Sequence, residues 1–372
     1  MTRIALYCPN KPLLHPRPSG DLTIARSLHH FFSKSGYDCR EIVRFRARWF
    51  WHKRDGWLQA ARSVAEAIRN AAAFRPAAWI TYHSYYKSPD VVGPIISRLL
   101  RIPYFLLEPM YATKWRKTPP TRTGFYLNRI ALKKARSVFL NNMDDLEALS
   151  RLLPAERLIY VSPGIFPEEF QKDEICGKNI RKLMGIPSLL PLVMTAAMFR
   201  PGVKYDSLCF LLRSLSRLRD ERGGFRLLLV GDGPMRTDLE KMARLCLPGR
   251  TVFAGAVPRS EMFSYYSAAD IFAFPGIRES IGMVYLEAQA CGLPVVALNV
   301  RGAARMVETG RTGLLVPAED SGQAMAEALG RLMSDPDLRR ELAENGREYI
   351  VEKRNLWKNY QVIARECERW IS

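Results

Sequence analysis

Short apolar runs alternate along the chain with longer stretches in which apolar positions recur every three or four residues. The short runs have the length of buried strands and the longer stretches the period of amphipathic helices. In the first half the strand-like runs are 3–8, 39–44, 78–83, 103–107, 137–140 and 158–162. A helix starts from a cap at Asp21 and reaches about residue 35, and others span 57–70, 89–101, 124–136 and 143–152. The second half restarts the pattern with strands at 192–197, 225–230, 251–253, 271–274 and 294–298. Strands alternating with helices predict α/β architecture with parallel sheets. The polar stretch 166–190, with Pro167, Gly177, Gly185 and Pro187, reads as the connection between a domain at 1–165 and one at 190–346. A terminal helix from about 347 to 370 carries Trp357, Tyr360, Ile363 and Trp370.

At 372 residues the chain is long enough for two separate cores. No apolar run approaches the ~20 residues of a membrane span, and no signal peptide is expected. Seven scattered cysteines without a Cys-x-x-Cys argue for a reducing compartment and against a zinc site. Charge changes the picture more. Residues 1–160 hold 27 Lys and Arg against 11 Asp and Glu, whereas residues 161–372 hold 29 against 26. The first half is therefore strongly basic and should face something anionic. No recognition motif accompanies the charge, so a basic nucleic-acid-binding protein is the rival reading and no nucleic-acid partner is expected.

The densest chemistry lies at 275–297, PGIRESIGMVYLEAQACGLPVVA. Gly292 and Pro294 stop a helix predicted to run from about Ile281 to Ala290. The first amides of that helix, on Ser280, Ile281, Gly282 and Met283, form a natural anion site. Glu279 stands at the mouth of the site and Glu287 further along the helix, where carboxylates can accept bonds from sugar hydroxyls. Upstream, Arg200 and Lys204 offer cations for a leaving diphosphate. Gly231 and Gly233, in a strand-to-helix turn, permit close approach of backbone to a ligand. Asp144 and Asp145 sit at a helix start, where capping explains them without a metal.

Glu279-x7-Glu287, followed by ACGLPVVA and GRTGLLVP, resembles the retaining glycosyltransferases of family 4, also called glycosyl transferases group 1. The resemblance implies the GT-B fold: two Rossmann-like domains facing each other across a cleft, with a last helix, about 350–372, packing back on the first. It implies that a UDP- or GDP-linked nucleotide-sugar binds mainly to the second domain and the acceptor to the first. Glu287 would hold the ribose and Glu279 the donor sugar. Arg200 and Lys204 would neutralise the diphosphate beside Gly231 and Gly233, with Gly255 and Val257 toward the nucleobase. Gly20 would lie in the glycine loop near the diphosphate. Where many members have a histidine after the fourth strand, this chain has Glu108; His83 stands at a neighbouring strand end, and either could touch the donor sugar or the acceptor hydroxyl. No metal or other cofactor is expected. An epimerase or phosphorylase on the same fold is the nearest alternative enzyme.

Residues 44–57, RFRARWFWHKRDGW, interleave arginines and lysines with Phe45, Trp49, Phe50, Trp51 and Trp57. Aromatic rings favour the headgroup level and basic residues an anionic leaflet. The sequence therefore predicts a cytoplasmic protein at the inner face of the membrane, peripheral and not spanning; the alternative is that the aromatics pack inside and the charges bind a soluble anionic acceptor. Its acceptor would be a glycolipid or saccharide of lipid-linked or envelope type.

Overall fold

A computed structural model describes residues 1–16, 19–218, 224–319 and 322–371. The chain divides into two compact units, Met1–Pro163 with Leu356–Ser372, and Gly164–Asn355.

The first unit contains strands β1 (Arg3–Tyr7), β2 (Asp38–Val43), β3 (Ala78–Tyr82), β4 (Tyr104–Leu107), β5 (Ser137–Leu140) and β6 (Leu158–Tyr160). They form one parallel sheet in the order β2-β1-β3-β4-β5-β6. β3, β4 and β5 are buried along their whole length, which suits interior strands covered on both faces. The helices are α1 (Gly20–Lys34), α2 (Gly56–Phe74), α3 (Gly93–Leu100), α4 (Pro119–Lys134) and α5 (Met143–Ser150). Ser19, not Asp21, caps α1 by accepting from the Leu22 N–H at 3.3 Å. Asp21 instead accepts from the Asn10 amide at 3.1 Å.

The second unit holds α6 (Glu174–Leu183), β7 (Leu192–Ala196), α7 (Val203–Leu215), β8 (Arg226–Val230), α8 (Arg236–Cys246), β9 (Thr251–Gly255), α9 (Met262–Ala268) and β10 (Ile271–Ala273). It continues with α10 (Met283–Ala290), β11 (Val295–Leu298), α11 (Arg301–Met306), β12 (Gly313–Val316), α12 (Gln323–Ser334) and α13 (Pro336–Lys353). Its sheet is again parallel, ordered β12-β11-β10-β7-β8-β9. The sequence pattern missed β12, because four residues opening on a glycine carry too short an apolar signal.

The stretch 166–190 is not a loose connection. It contains α6, capped by Asp173 and anchored by an Arg181–Asp270 ion pair at 2.7 Å, and Phe170 is fully buried. Gly177 is a packing glycine: a Cβ there would lie 2.5 Å from the Ser267 carbonyl oxygen. The terminal helix is also two helices. α13 ends at Lys353, and α14 (Leu356–Trp370) belongs to the first unit. There Tyr360 meets Phe31 edge-on with centroids 5.6 Å apart, and the Arg136 guanidinium lies 3.3 Å from the Trp370 ring centroid.

In each sheet the strand order reverses about the first strand, between β1 and β3 and between β7 and β10. Open α/β sheets bind ligands beyond the carboxyl ends of the strands at such a point. Asn10, His83 and Glu108 stand at those ends in one unit, and the segments 197–204 and 274–282 in the other.

Candidate functional site

In the second unit α10 begins at Met283, two residues later than the sequence suggests, because Gly282 takes a left-handed conformation at φ 78°. Gly276 and Gly282 wrap the loop tightly around Tyr285, whose hydroxyl donates to the Phe274 carbonyl at 3.1 Å. A Cβ on Gly282 would lie 2.4 Å from that ring. The loop also leans on Gly302, whose N–H donates to the Glu279 carbonyl at 3.1 Å. Held this way, the N–H groups of Ser280, Ile281, Gly282 and Met283 find no acceptor among the described residues. They are orphan donors at a helix start, the arrangement that takes an anion.

Glu279 forms an ion pair with Lys204, whose ammonium also lies 4.9 Å from the Phe274 ring centroid. Lys204 sits in the first turn of α7, where the helix dipole disfavours a cation. Glu279 offsets that cost, and both side chains are largely buried. Arg200 is exposed, and its side chain forms no hydrogen bond or ion pair among the described residues. The structure thus pairs Lys204 with Glu279 and leaves the Arg200 side chain out of that pair, although the Arg200 carbonyl accepts from the neighbouring Tyr205 N–H at 3.2 Å.

Glu287 is 6% exposed. One oxygen accepts from the Tyr266 hydroxyl at 2.9 Å and the other from Arg259 at 2.5 Å. Arg259 also reaches Glu169 at 2.9 Å and lies over the Phe170 ring. A groove of about 680 Å³ beside it is lined by Glu168, Glu169, Lys172, Arg259, Ser260 and Phe263. Arg259, Tyr266 and Glu169 were not legible in the sequence. They lie 28, 21 and 118 residues before Glu287, distances without any local period.

Gly231 and Gly233 have a different reason from the one their spacing suggests. A Cβ on Gly231 would lie 1.8 Å from the Ala197 carbonyl oxygen, and one on Gly233 2.5 Å from that of Phe199. They admit neighbouring backbone, stitched by the Phe199 N–H to Asp232 and the Gly231 N–H to Gly255. Gly255 has φ 76°, and a Cβ there would meet Arg236 Nη1 at 3.6 Å; Val257 packs partly buried against the core.

In the first unit His83 and Glu108 both adopt left-handed backbone, at φ 59° and 52°. Such strain in residues other than glycine concentrates at functional sites. Their strands are neighbours, with the His83 N–H donating to Leu107 and the Glu108 N–H to Phe139, each at 2.8 Å. Burial lowers the His83 pKa, and its Nδ1 has no partner among the described residues. Burial pushes the Glu108 carboxyl up to about 8, the Tyr82 hydroxyl at 3.2 Å opposes the rise, and Asp21 and Asp145 add to it. At neutral pH Glu108 is therefore largely protonated and can donate as well as accept. Gly20 opens α1 with no atom within 4 Å of an added Cβ.

The aromatic strip 44–57 is mostly not a surface. Phe45 and Phe50 are buried, and Trp49 and Trp51 pack against each other and against His52. Trp57, at 55% exposure, is the one aromatic of the strip that lies well open. Asn142 caps α5 by accepting from the Asp144 N–H at 3.0 Å. No group of three possible metal ligands occurs among the described residues.

The profile described as Glycosyl transferases group 1 matches residues 191–335. A D-inositol 3-phosphate glycosyltransferase of Corynebacterium glutamicum is 30% identical over 289 residues, 73% of this chain and 68% of that one. The chain belongs to the glycosyl transferases group 1 family. Another member of this family, a GDP-mannose-dependent alpha-(1-6)-phosphatidylinositol monomannoside mannosyltransferase of Mycolicibacterium smegmatis, is 30% identical over 246 residues. That match takes in 64% of this chain and 63% of the relative, less than two thirds of its length. Among solved structures, a sucrose-phosphate synthase from Thermosynechococcus elongatus superposes with a TM-score of 0.74 at 20% identity, over 99% of both chains. The two units are thus the paired Rossmann-like domains of the GT-B fold.

Proposed function

We propose that this protein is a retaining, metal-independent glycosyltransferase. It takes a sugar from a UDP- or GDP-linked donor and passes it to a lipid-linked or envelope-type acceptor at an anionic membrane surface. The observation that carries this reading is the row of unpartnered amides at Ser280 to Met283, beside the Glu279–Lys204 pair and at the head of the helix that bears Glu287. A diphosphate fits the amides and hydroxylated groups fit the carboxylates. The two relatives support the class of reaction, since one is named for GDP-mannose and phosphatidylinositol monomannoside and the other for D-inositol 3-phosphate.

In the reaction the bond from the sugar's anomeric carbon to the diphosphate oxygen breaks, and a bond to the acceptor hydroxyl oxygen forms on the same face. The hydroxyl proton passes to the departing phosphate oxygen. The amides, Lys204 and Arg200 stabilise the charge that develops there. Glu279 accepts from the sugar hydroxyls, and Glu287 from the ribose through the lone pairs that Arg259 and Tyr266 leave free. Glu108 and His83 offer a donor and an acceptor to sugar or acceptor hydroxyls.

The membrane part of the proposal draws on the outward side of α2, α3 and α4. Trp57, Leu58, Ile95, Leu99, Tyr126 and Ile130 are exposed there, interspersed with Arg62, Arg69, Arg98 and Arg122. Apolar rings and chains among cations complement an anionic bilayer. No described helix is long and apolar enough to cross a membrane.

Incubating the protein with a panel of nucleotide-sugars and following slow release of nucleoside diphosphate tests the core of the reading. Release from one donor, lost in Glu279→Ala, is expected. No release from any donor, and no rise in melting temperature with UDP or GDP, would rule it out.

A further inference from the structure

Residues Arg44 to Arg48 alternate strictly after β2. Phe45 and Ala47 point into the core, and the three arginines take the other side. The backbone here is fixed. The Ala47 N–H donates to the Pro9 carbonyl at 2.9 Å, the Trp49 N–H to that of Lys87 at 2.8 Å, and the Phe45 carbonyl accepts from the Tyr7 hydroxyl at 3.0 Å. The segment therefore runs across the carboxyl ends of β1 and β3, where the strand order reverses.

Two of the arginines turn to the same asparagine. Arg46 Nε donates to the Asn10 carbonyl at 3.2 Å, and Arg48 Nη1 to Asn10 Oδ1 at 3.4 Å and to the Tyr85 hydroxyl at 3.0 Å. Asn10 and Tyr85 are 5% and 7% exposed, so the platform is rigid. Every acceptor on it is neutral. Arg44 has Glu41 at 3.5 Å, but Arg46 and Arg48 have no carboxylate within 4.0 Å among the described residues. Asp21 accepts from the far end of the Asn10 amide and its charge is felt at Tyr85, but it pairs with neither arginine. Arg48 is half-buried, and a desolvated cation without a counter-ion is costly. Each guanidinium keeps one edge of two N–H groups without a hydrogen-bond partner among the described residues, the geometry that takes a phosphate in two-pronged fashion.

We infer that Arg46 and Arg48, seated on Asn10 and Tyr85, form a binding site for a phosphate ester carried by the acceptor. The word acceptor rests on the glycosyltransferase reading; the anion site rests on the geometry alone. The ester can be a soluble monoester or the diester of a lipid headgroup, and both have the same chemistry at this site.

Calorimetric titration separates the cases. Glycerol 3-phosphate, a monoester, and glycerophosphoglycerol, a headgroup diester, are each titrated into the protein with and without saturating UDP or GDP, which blocks the amides of the other unit. Saturable binding of at least one ester is expected, weakened at least about tenfold in Arg48→Gln and in Arg46→Gln. Melting temperature and nucleotide affinity should be unchanged. Binding of the monoester alone identifies a soluble source, and of the diester a headgroup. Arg46 is exposed, so Arg46→Gln carries the test if Arg48→Gln does not fold. No ester binding by the wild type, or equal binding by both variants, overturns the site. Ester binding by a protein that ignores nucleotides keeps the site and removes the donor reading.

Discussion

Arg259 holds Glu287 at 2.5 Å and Glu169 at 2.9 Å at the same time. Glu287 is the second carboxylate of the helix pair, and its side chain is 8% exposed. Replacing Arg259 leaves that buried carboxylate with the Tyr266 hydroxyl alone, whereas replacing Glu169 leaves the inner pair intact. Removing one partner of a buried charged pair costs about 3–5 kcal/mol, and Arg259 is partly exposed, so the lower part of that range or less applies. Arg259→Gln should therefore lower the melting temperature by several degrees, and Glu169→Gln by much less. Thermal unfolding of the two variants decides it. Equal losses would mean that the bridge is not what holds Glu287.

Glu279→Ala should reduce turnover about a hundredfold or more and leave nucleoside diphosphate affinity within a few-fold, since a carboxylate toward the sugar acts on the reacting end of the donor. Glu287→Ala should do the reverse, weakening nucleotide affinity about tenfold. Steady-state kinetics with calorimetric titration of UDP and GDP separates the two. The same loss of affinity in both variants would contradict the division of roles.

The parts of this site that the sequence made legible are those written locally. Glu279, Gly282 and Glu287 fall within nine residues, and Gly292-Leu293-Pro294 closes their helix, so spacing alone places them. Lys204 could be named as a cation but not paired, since Glu279 lies 75 residues on and meets it only after β7 and β10 align. The Arg259 bridge is illegible for the same reason. Gly231 and Gly233 show a subtler failure: the need for glycine was readable, but whether backbone or ligand approaches was not. In residues 44–57 the alternation was visible, but which face is buried depends on β1 and β3.

Activity should survive a chelator. Lys204, Arg200 and the free amides of Ser280 to Met283 supply the positive potential that a metal would otherwise provide for the leaving diphosphate. Nucleoside diphosphate release measured with and without EDTA should agree. A loss restored by magnesium or manganese would show that these groups are insufficient.

The raised carboxyl of Glu108 has a direct consequence for stability. From its ordinary value of 4.5 up to about 8, the folded chain keeps a proton that the unfolded chain has released. Stability contributed by this group therefore falls as pH rises through that window. Glu108→Gln cannot ionise and should lack the fall. Melting temperatures at pH 5 and pH 8 should show the variant gaining on the wild type at the higher pH. Parallel curves would mean that Glu108 is charged in the folded protein.

Membrane attachment should depend on α2 to α4, which include Trp57, more than on residues 44–55. Phe45 and Phe50 are committed to the core, so before Trp57 the strip presents no well-exposed aromatic ring to a bilayer, and Arg46 and Arg48, held on Asn10 and Tyr85, offer it a headgroup phosphate site and not an inserting surface. Trp57 and Leu58, at 55% and 51% exposure, open α2, and Leu99 on α3 and Ile130 on α4 are exposed to 59% and 53%. Each basic residue near an anionic surface adds about 1 kcal/mol, screened by salt, so four or five suffice for reversible binding. In flotation assays the protein should rise with vesicles containing phosphatidylglycerol at low salt, and less at high salt or with phosphatidylcholine alone. A double variant, Leu58→Ser with Leu99→Ser, should stay at the bottom while unfolding close to the wild-type temperature, because both side chains are more than half exposed; Trp57 is left in place, since it packs edge-on against the buried Phe50. Flotation indifferent to anionic lipid, or unchanged in the double variant, would remove this face from the membrane contact.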